Sequence, residues 1–260
     1  MRMLHRRLTL VRVRDEPRQA FQRVAGQAND FIRRDSASLR GRQRRLDRRR
    51  TAMIEVRFRT ALPEDIPDLA QLAIMAGNGI LDAIYQGVVP SLSTSEIVEQ
   101  RFHRIGTTKS YENCCVAVHG NRVVGCLNAY PMDDEILDPP DPLLRHDRRY
   151  LVEPAERLHA PGSFHLNTVA VLPEYRSQGI GTSLLRLARS RAQDLHLPAL
   201  SLIVFEQNHR AVALYRRFGF SEVKHSKVAE HAAIQYSGNL TLMICPVQLA
   251  PTCDSAVADR

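Results

Sequence analysis

From position 54 onward the apolar residues recur with two different periods. Ile54 to Thr60 alternates apolar and polar positions, as a half-buried strand does. Pro63-Glu64-Asp65-Ile66-Pro67-Asp68 is an acidic, Pro-bearing helix start. Ile66, Leu69, Leu72, Ala73 and Met75 then recur at helical spacing through Ala76, until Gly77-Asn78-Gly79 breaks the pattern. A short apolar piece, Ile80 to Val89, runs to Pro90. Ser93-Thr94-Ser95-Glu96 opens a further helix, with Ile97, Val98, Phe102 and Ile105 predicted as its buried stripe. Asn113 to His119 and Arg122 to Pro131 read as two strands joined by a hairpin at Gly120-Asn121.

The pattern fails between Pro131 and Pro161, a stretch rich in proline and charge. A loop this long inside a domain often lies over a site; the competing reading is a solvated insertion with a helical turn. Leu166 to Leu172 is an apolar, β-branched strand that Pro173 ends, because proline has no N–H for a ladder. A helix from Thr182 to about Leu195, a strand from Leu200 to Phe205, a helix from Asn208 to Phe218 and strands near Ser221 to His225 and Leu240 to Cys245 complete the chain. The expected fold class is α/β, one domain with a mixed twisted sheet flanked by helices. Its expected span is residues 53–246, followed by a flexible tail at 247–260.

Charge changes the picture at one end. The formal net charge is +8, but residues 1–52 hold sixteen arginines against five acidic residues, so the remainder carries about −3. The folded part therefore has no nucleic-acid signature. Residues 1–52 are too polar and aperiodic to offset the entropy of ordering, and a disordered basic extension is expected. Three readings compete for it: a transit peptide, a basic arm for nucleic acid, or a segment absent from the native protein, with translation starting at Met53. No apolar run approaches the ~18 residues of a membrane span. Five cysteines, Cys114, Cys115, Cys126, Cys245 and Cys253, show neither zinc nor CxxC spacing and read as reduced cytoplasmic thiols packed as small hydrophobes. The ten histidines are scattered, and no metal site is expected.

Candidate chemistry centres on Leu166 to Gly181, LNTVAVLPEYRSQGIG. A strand, a turn bearing Arg176-Ser177-Gln178-Gly179-Ile180-Gly181 and a helix start make an anion site, since the first helical turn has unpaired N–H groups and a positive dipole end. Gly179 and Gly181 are expected to let a pyrophosphate reach those groups. The run is neither a Walker loop nor GxGxxG. A second segment follows, Glu206 to Phe220, in which Asn208 and Tyr215 stand two helical turns apart on one face.

Together these segments resemble the GCN5-related N-acetyltransferase (GNAT) superfamily. The resemblance covers about Ile54 to Cys245. It rests on Val171-Leu172-Pro173, on Arg176 to Gly181, and on Asn208, Ala211, Leu214, Tyr215, Gly219 and Phe220. It implies an acetyl-CoA-dependent N-acetyltransferase, with the co-substrate in a cleft where two neighbouring parallel strands part. Val169 and Val171 would offer backbone groups to the pantetheine arm, and an N–H near Val169 would face the oxyanion. The amides of Gln178, Gly179, Ile180, Gly181 and Thr182, with Arg176 beside them, would cradle the pyrophosphate. Asn208 would contact the arm, and Tyr215 would protonate the departing sulfur.

The attacking amine must be neutral, and the base is not given by the motifs. Several relatives carry a glutamate eleven residues ahead of the phosphate motif, where this chain has His165. A histidine of pKa near 6.5 can serve, and a structural histidine at a strand start is the competing reading. Asn167 would face the same side and bind substrate; Glu153, Glu156 or a water relay are the other candidates for the base. The alternative function is a catalytically silent module that binds CoA and regulates. The acceptor is a small-molecule or peptide amine; no nucleic acid or membrane partner is expected of the folded domain, and a homodimer fits the resemblance.

Overall fold

The hairpin at Gly120-Asn121 forms as the sequence predicts, joining β2 (Cys114–His119) to β3 (Arg122–Pro131). In this computed structural model residues 55–249 are described. The basic segment 1–52, the start expected at Met53, Cys253 and most of the expected tail lie outside the described residues. Strand β1 (Arg57–Thr60) pairs antiparallel with β2, and β3 with β4 (Phe164–Val171). Strand β5 (Ala199–Phe205) lies parallel to β4; β7 (Asn239–Pro246) and the edge strand β6 (Ser221–Lys227) complete the sheet. The seven strands run in the order β1-β2-β3-β4-β5-β7-β6, and β4 with β5 is the one parallel neighbour pair among them. A parallel pair needs a crossover, and helix α5 (Ile180–Asp194) supplies it.

Helices cover both faces of the sheet. Helices α1 (Ile66–Gly77), α2 (Ile80–Tyr85) and α3 (Thr94–Phe102) pack on one, while α5 and α6 (His209–Phe218) pack on the other. The period of two in β2 decides where its side chains go. Cys115 and Ala117 enter the core under α5, while Cys114, Val116 and Val118 enter the core under α1. Adjacent Cys114 and Cys115 thus serve different cores. Burial pushes Cys115 and Cys126 up to about 12 and Cys114 well above its ordinary value, so all three stay thiols.

Helix α3 begins with a capping box, in which Ser93 accepts from the Glu96 N–H and Glu96 accepts from Ser93. It ends earlier than the stripe implied. Ile105, expected to be buried, is 56 % exposed. The helix stops at Phe102, and the chain leaves in a turn closed by the Arg104 N–H on the Arg101 carbonyl, so helical spacing no longer governs position 105. The irregular stretch 131–161 is two 3-10 turns, Met132–Leu137 and His146–Leu151, and one helical turn, α4 (Glu153–Glu156). Its carboxylates staple it down. Asp138 accepts from the Thr108 N–H at 3.0 Å and from the Thr108 hydroxyl at 2.5 Å, and Asp141 takes the Tyr85 hydroxyl and pairs with Arg101.

Candidate active site

Strands β4 and β5 pair only from Phe164–Leu200 to Leu166–Leu202. Beyond that, Thr168 to Val171 pair with β3 alone, and Ile203 to Phe205 with β7 alone. The two parallel strands part there, and a cleft of about 1160 Å³ opens between them. It reaches from the start of α5 to the stapled segment 135–141.

The turn leading into α5 builds one end of this cleft. Gly179 is the N-cap residue at φ +82°, a left-handed conformation that a side chain disfavours, and space is open where a Cβ would stand. The first turn of α5 holds no acidic residue, and no side chain caps it. Its N–H groups are therefore available to an anion. Arg176 folds back onto the Val171 carbonyl at 2.9 Å, and Arg210 reaches the Ser177 hydroxyl at 3.0 Å, so two guanidinium groups flank the turn. Gly181 also lines the cleft, and a Cβ on it would meet Cδ2 of Leu214 at 3.2 Å, so its missing side chain admits the close contact of α5 with α6.

Among the predicted site residues only Gln178 and the alternative base Glu153 do not line the cleft, and the Gln178 side chain turns to the Glu174 carbonyl at 3.3 Å. Asn208 caps α6, its Oδ1 accepting from the Ala211 N–H at 3.3 Å. That cap leaves the Asn208 amide nitrogen for the cleft. Tyr215 stands on α6 with its ring edge-on to Phe220 at 5.7 Å. Its hydroxyl makes no hydrogen bond among the described residues, and burial pushes it up to about 12.

The opposite end gathers titratable groups from several elements. Glu135 pairs with Lys109, accepts from the Tyr130 hydroxyl at 3.2 Å and lies 3.9 Å from His159. Burial works to raise the Glu135 carboxyl, but the charge and hydrogen bond of Lys109, together with the neighbouring histidines, hold it below its usual range, so it is a carboxylate at neutral pH. His165 is 5 % exposed, and burial pulls it down to about 4, so its imidazole is neutral. Its Nδ1 lies 3.0 Å from the Ser201 hydroxyl, directly across the β4–β5 ladder. Asn167 is exposed and donates to Oδ1 of Asn128 at 2.9 Å, which aims it along the cleft wall. Glu153 and Glu156 pair with Arg157 and Arg149; Glu156 lines the cleft. Ser201, Ser163 and Glu135 were not legible as site residues, since single hydroxyls and loop carboxylates carry no spacing signal.

Known proteins resemble this chain in sequence and in fold. The model of the acetyltransferase (GNAT) family matches residues 81–220, over half of the chain. An N-alpha-acetyltransferase of Saccharolobus solfataricus is 39 % identical over 61 residues, 23 % of this chain. The match spans 36 % of that relative's length. A solved acetyltransferase structure aligns with a TM-score of 0.53 at 23 % identity, covering 74 % of this chain and 99 % of its own. An N-acetyltransferase from Staphylococcus aureus Mu50 aligns with a TM-score of 0.52 at 23 % identity, covering 72 % and 98 %. At such identities the likeness is one of fold.

Proposed function

The chain belongs to the acetyltransferase (GNAT) family, and from that premise we propose that it moves the acetyl group of acetyl-CoA directly to a primary amine of a small molecule or peptide. The observation that carries the reading is the parting of β4 from β5 beyond Leu166 and Leu202, between the open N-terminus of α5 and Tyr215. The donor set fits the co-substrate's chemistry: unpaired amides and two guanidinium groups for a pyrophosphate, then a strand edge for the amide-bearing arm. Residues Gly179 to Thr182 with Arg176 and Arg210 would hold the phosphates, Val169 and Val171 the arm, and the Asn208 amide nitrogen a carbonyl of it. Acetyl-CoA supplies an acetyl group activated as a thioester.

Attack by a neutral amine forms the N–C bond as the C–S bond breaks, and one proton passes from nitrogen to sulfur. Tyr215 is assigned the delivery of that proton. Its support is the unpartnered hydroxyl in the cleft and the rise to about 12, which keeps the donor form present at neutral pH. Against a thiol of pKa ~8.5, complete transfer from such a phenol is uphill by roughly 5 kcal/mol. Donation is therefore coupled to recovery of the amine's proton. Four buried cysteines without a disulfide among the described residues support a reducing, cytoplasmic setting.

Thermal unfolding of the full chain with acetyl-CoA at ~100 times its dissociation constant should show about 2.7 kcal/mol of stabilisation, a rise of roughly 5–10 °C. Mass spectrometry over a panel of peptide and small-molecule amines should then show acetyl transfer. No thermal shift removes the reading. A shift without transfer to any amine leaves a CoA-binding regulator.

A further inference from the structure

Ser201 lies on β5 with no solvent exposure, and its hydroxyl sits in a chain whose proton directions can be worked out. The Ser163 hydroxyl is 2.6 Å from the Ala160 carbonyl, which can only accept, so the single proton of Ser163 is spent there. Ser163 and Ser201 oxygens are 2.7 Å apart, and with the Ser163 proton committed, Ser201 must donate to Ser163. Ser201 then has only lone pairs for His165 Nδ1 at 3.0 Å, so Nδ1 carries the hydrogen and donates. A neutral imidazole protonated at Nδ1 has a bare lone pair at Nε2. That atom has no hydrogen-bond partner among the described residues and is not sealed in the core, while His165 lines the cleft. A chain of hydroxyls ending on a carbonyl thus plays the orienting part that a carboxylate plays behind other histidines.

We propose that Ser201, backed by Ser163, is a positioning residue that holds His165 as the Nδ1–H tautomer, so that Nε2 accepts a hydrogen bond from an acceptor amine that reaches the cleft already neutral. The inference rests on the acetyltransferase reading. The groups facing His165 are Tyr130 from β3, Glu135 beyond it, Lys109 before β2, His159 after α4 and Ser201 from β5. Burial opposes a positive charge there and outweighs Glu135, which favours one; His159 and Lys109 act with burial. The imidazole therefore directs the amine's lone pair toward the thioester instead of storing its proton. The four carboxylates lining this end, Glu135, Asp138, Asp141 and Glu156, are each already engaged by a donor of the protein. The neutral fraction of the acceptor then governs the rate. An α-amine of pKa ~7.7–8 is neutral a few hundred times more often at pH 7 than a lysine-type amine of ~10.4. The favoured acceptor is an α-amino group, such as a peptide N-terminus.

The first test needs no activity. Nitrogen-15 NMR of the histidine-labelled full chain at pH 7, with His165 identified by its absence in His165→Gln, reads the tautomer directly. A proton on Nδ1 and a bare Nε2 are expected; a proton on Nε2 overturns the proposal whether or not the protein acetylates anything. Ser201→Ala should mix the two tautomers and lower kcat/KM for the amine tenfold or more with an unchanged Kd for acetyl-CoA. Unchanged tautomer and unchanged kcat/KM in a folded variant also overturn it, and if that variant does not fold, the wild-type spectrum decides. The pH profile tests the neutral acceptor. The value of kcat/KM should climb to the acceptor's own pKa and move when an acceptor of different pKa is used. One plateau below pH 7 for every acceptor would show a protein base taking the proton, against the proposal. If the tautomer is as expected and no amine is acetylated, the acetyltransferase reading fails instead.

Discussion

Gly181 on α5 and Leu214 on α6 touch so closely that a Cβ on the glycine would stand 3.2 Å from Cδ2 of the leucine. Gly179, two residues earlier, faces open space but holds φ at +82°. The two glycines of one motif thus answer to different forces, and alanine separates them. Gly179→Ala should lose about 1–2 kcal/mol to left-handed strain and weaken acetyl-CoA binding. Gly181→Ala meets a leucine end that can give by a few tenths of an ångström, and gains up to ~1 kcal/mol of helix propensity. Its stability should stay within about 1 kcal/mol of wild type. Chemical denaturation of both variants checks the contrast; equal losses would show that one shared constraint governs the pair.

Tyr215→Phe keeps the ring and its edge contact with Phe220 and removes only the hydroxyl. Turnover should fall by about 10²-fold or more if the phenol delivers the proton to sulfur, with acetyl-CoA affinity within a factor of about three. Single-turnover kinetics and isothermal titration measure the two separately. Undiminished turnover means that another acid, or none, is needed.

His165 makes stability depend on pH in a defined window. Its folded pKa of about 4 lies below the ~6.5 of the unfolded chain. From pH 6.5 down to 4 the unfolded state takes up a proton that the folded state refuses, so stability falls on acidification. The gap corresponds to about 3 kcal/mol at full expression. Urea denaturation between pH 7 and pH 4 should show the fall, and His165→Gln should flatten it. Glu135 and Asp141 also lose stability on acidification, below the ordinary carboxylate range, and they do so in both proteins.

Asp138 fastens the acidic segment to the mouth of the cleft through the Thr108 N–H and hydroxyl. Thr108 is 4 % exposed, so Asp138→Ala strands a buried donor at about 1–3 kcal/mol. Faster amide hydrogen exchange at Thr108 and across 132–141, together with a raised KM for the amine and an unchanged Kd for acetyl-CoA, is the expected outcome. Slow exchange would mean that the segment is held by its other staples, Lys109–Glu135 and Tyr85–Asp141.

What the sequence determined by itself was local. Period-two runs such as Arg57–Thr60 and period-3.6 runs such as Ile180–Asp194 state which face each element must bury, and Pro173 and Gly219 stop elements by backbone geometry alone. The glycine-bearing turn and the Asn208 cap were legible because a left-handed helix start and a side-chain cap need particular residues at fixed spacings within one unit. Tertiary structure decided whatever depends on residues far apart in the chain. That β4 and β5 part after Leu166 and Leu202 follows from each strand taking its other neighbour, β3 or β7. That Asp138 and Asp141 are staples rather than free carboxylates depends on Thr108 and Arg101, thirty or more residues away. His165 Nδ1 meets the hydroxyl of Ser201, thirty-six residues on and opposite it only because two strands lie parallel. A hydrogen bond needs atoms within about 3 Å, and between distant segments only the packed sheet brings them there.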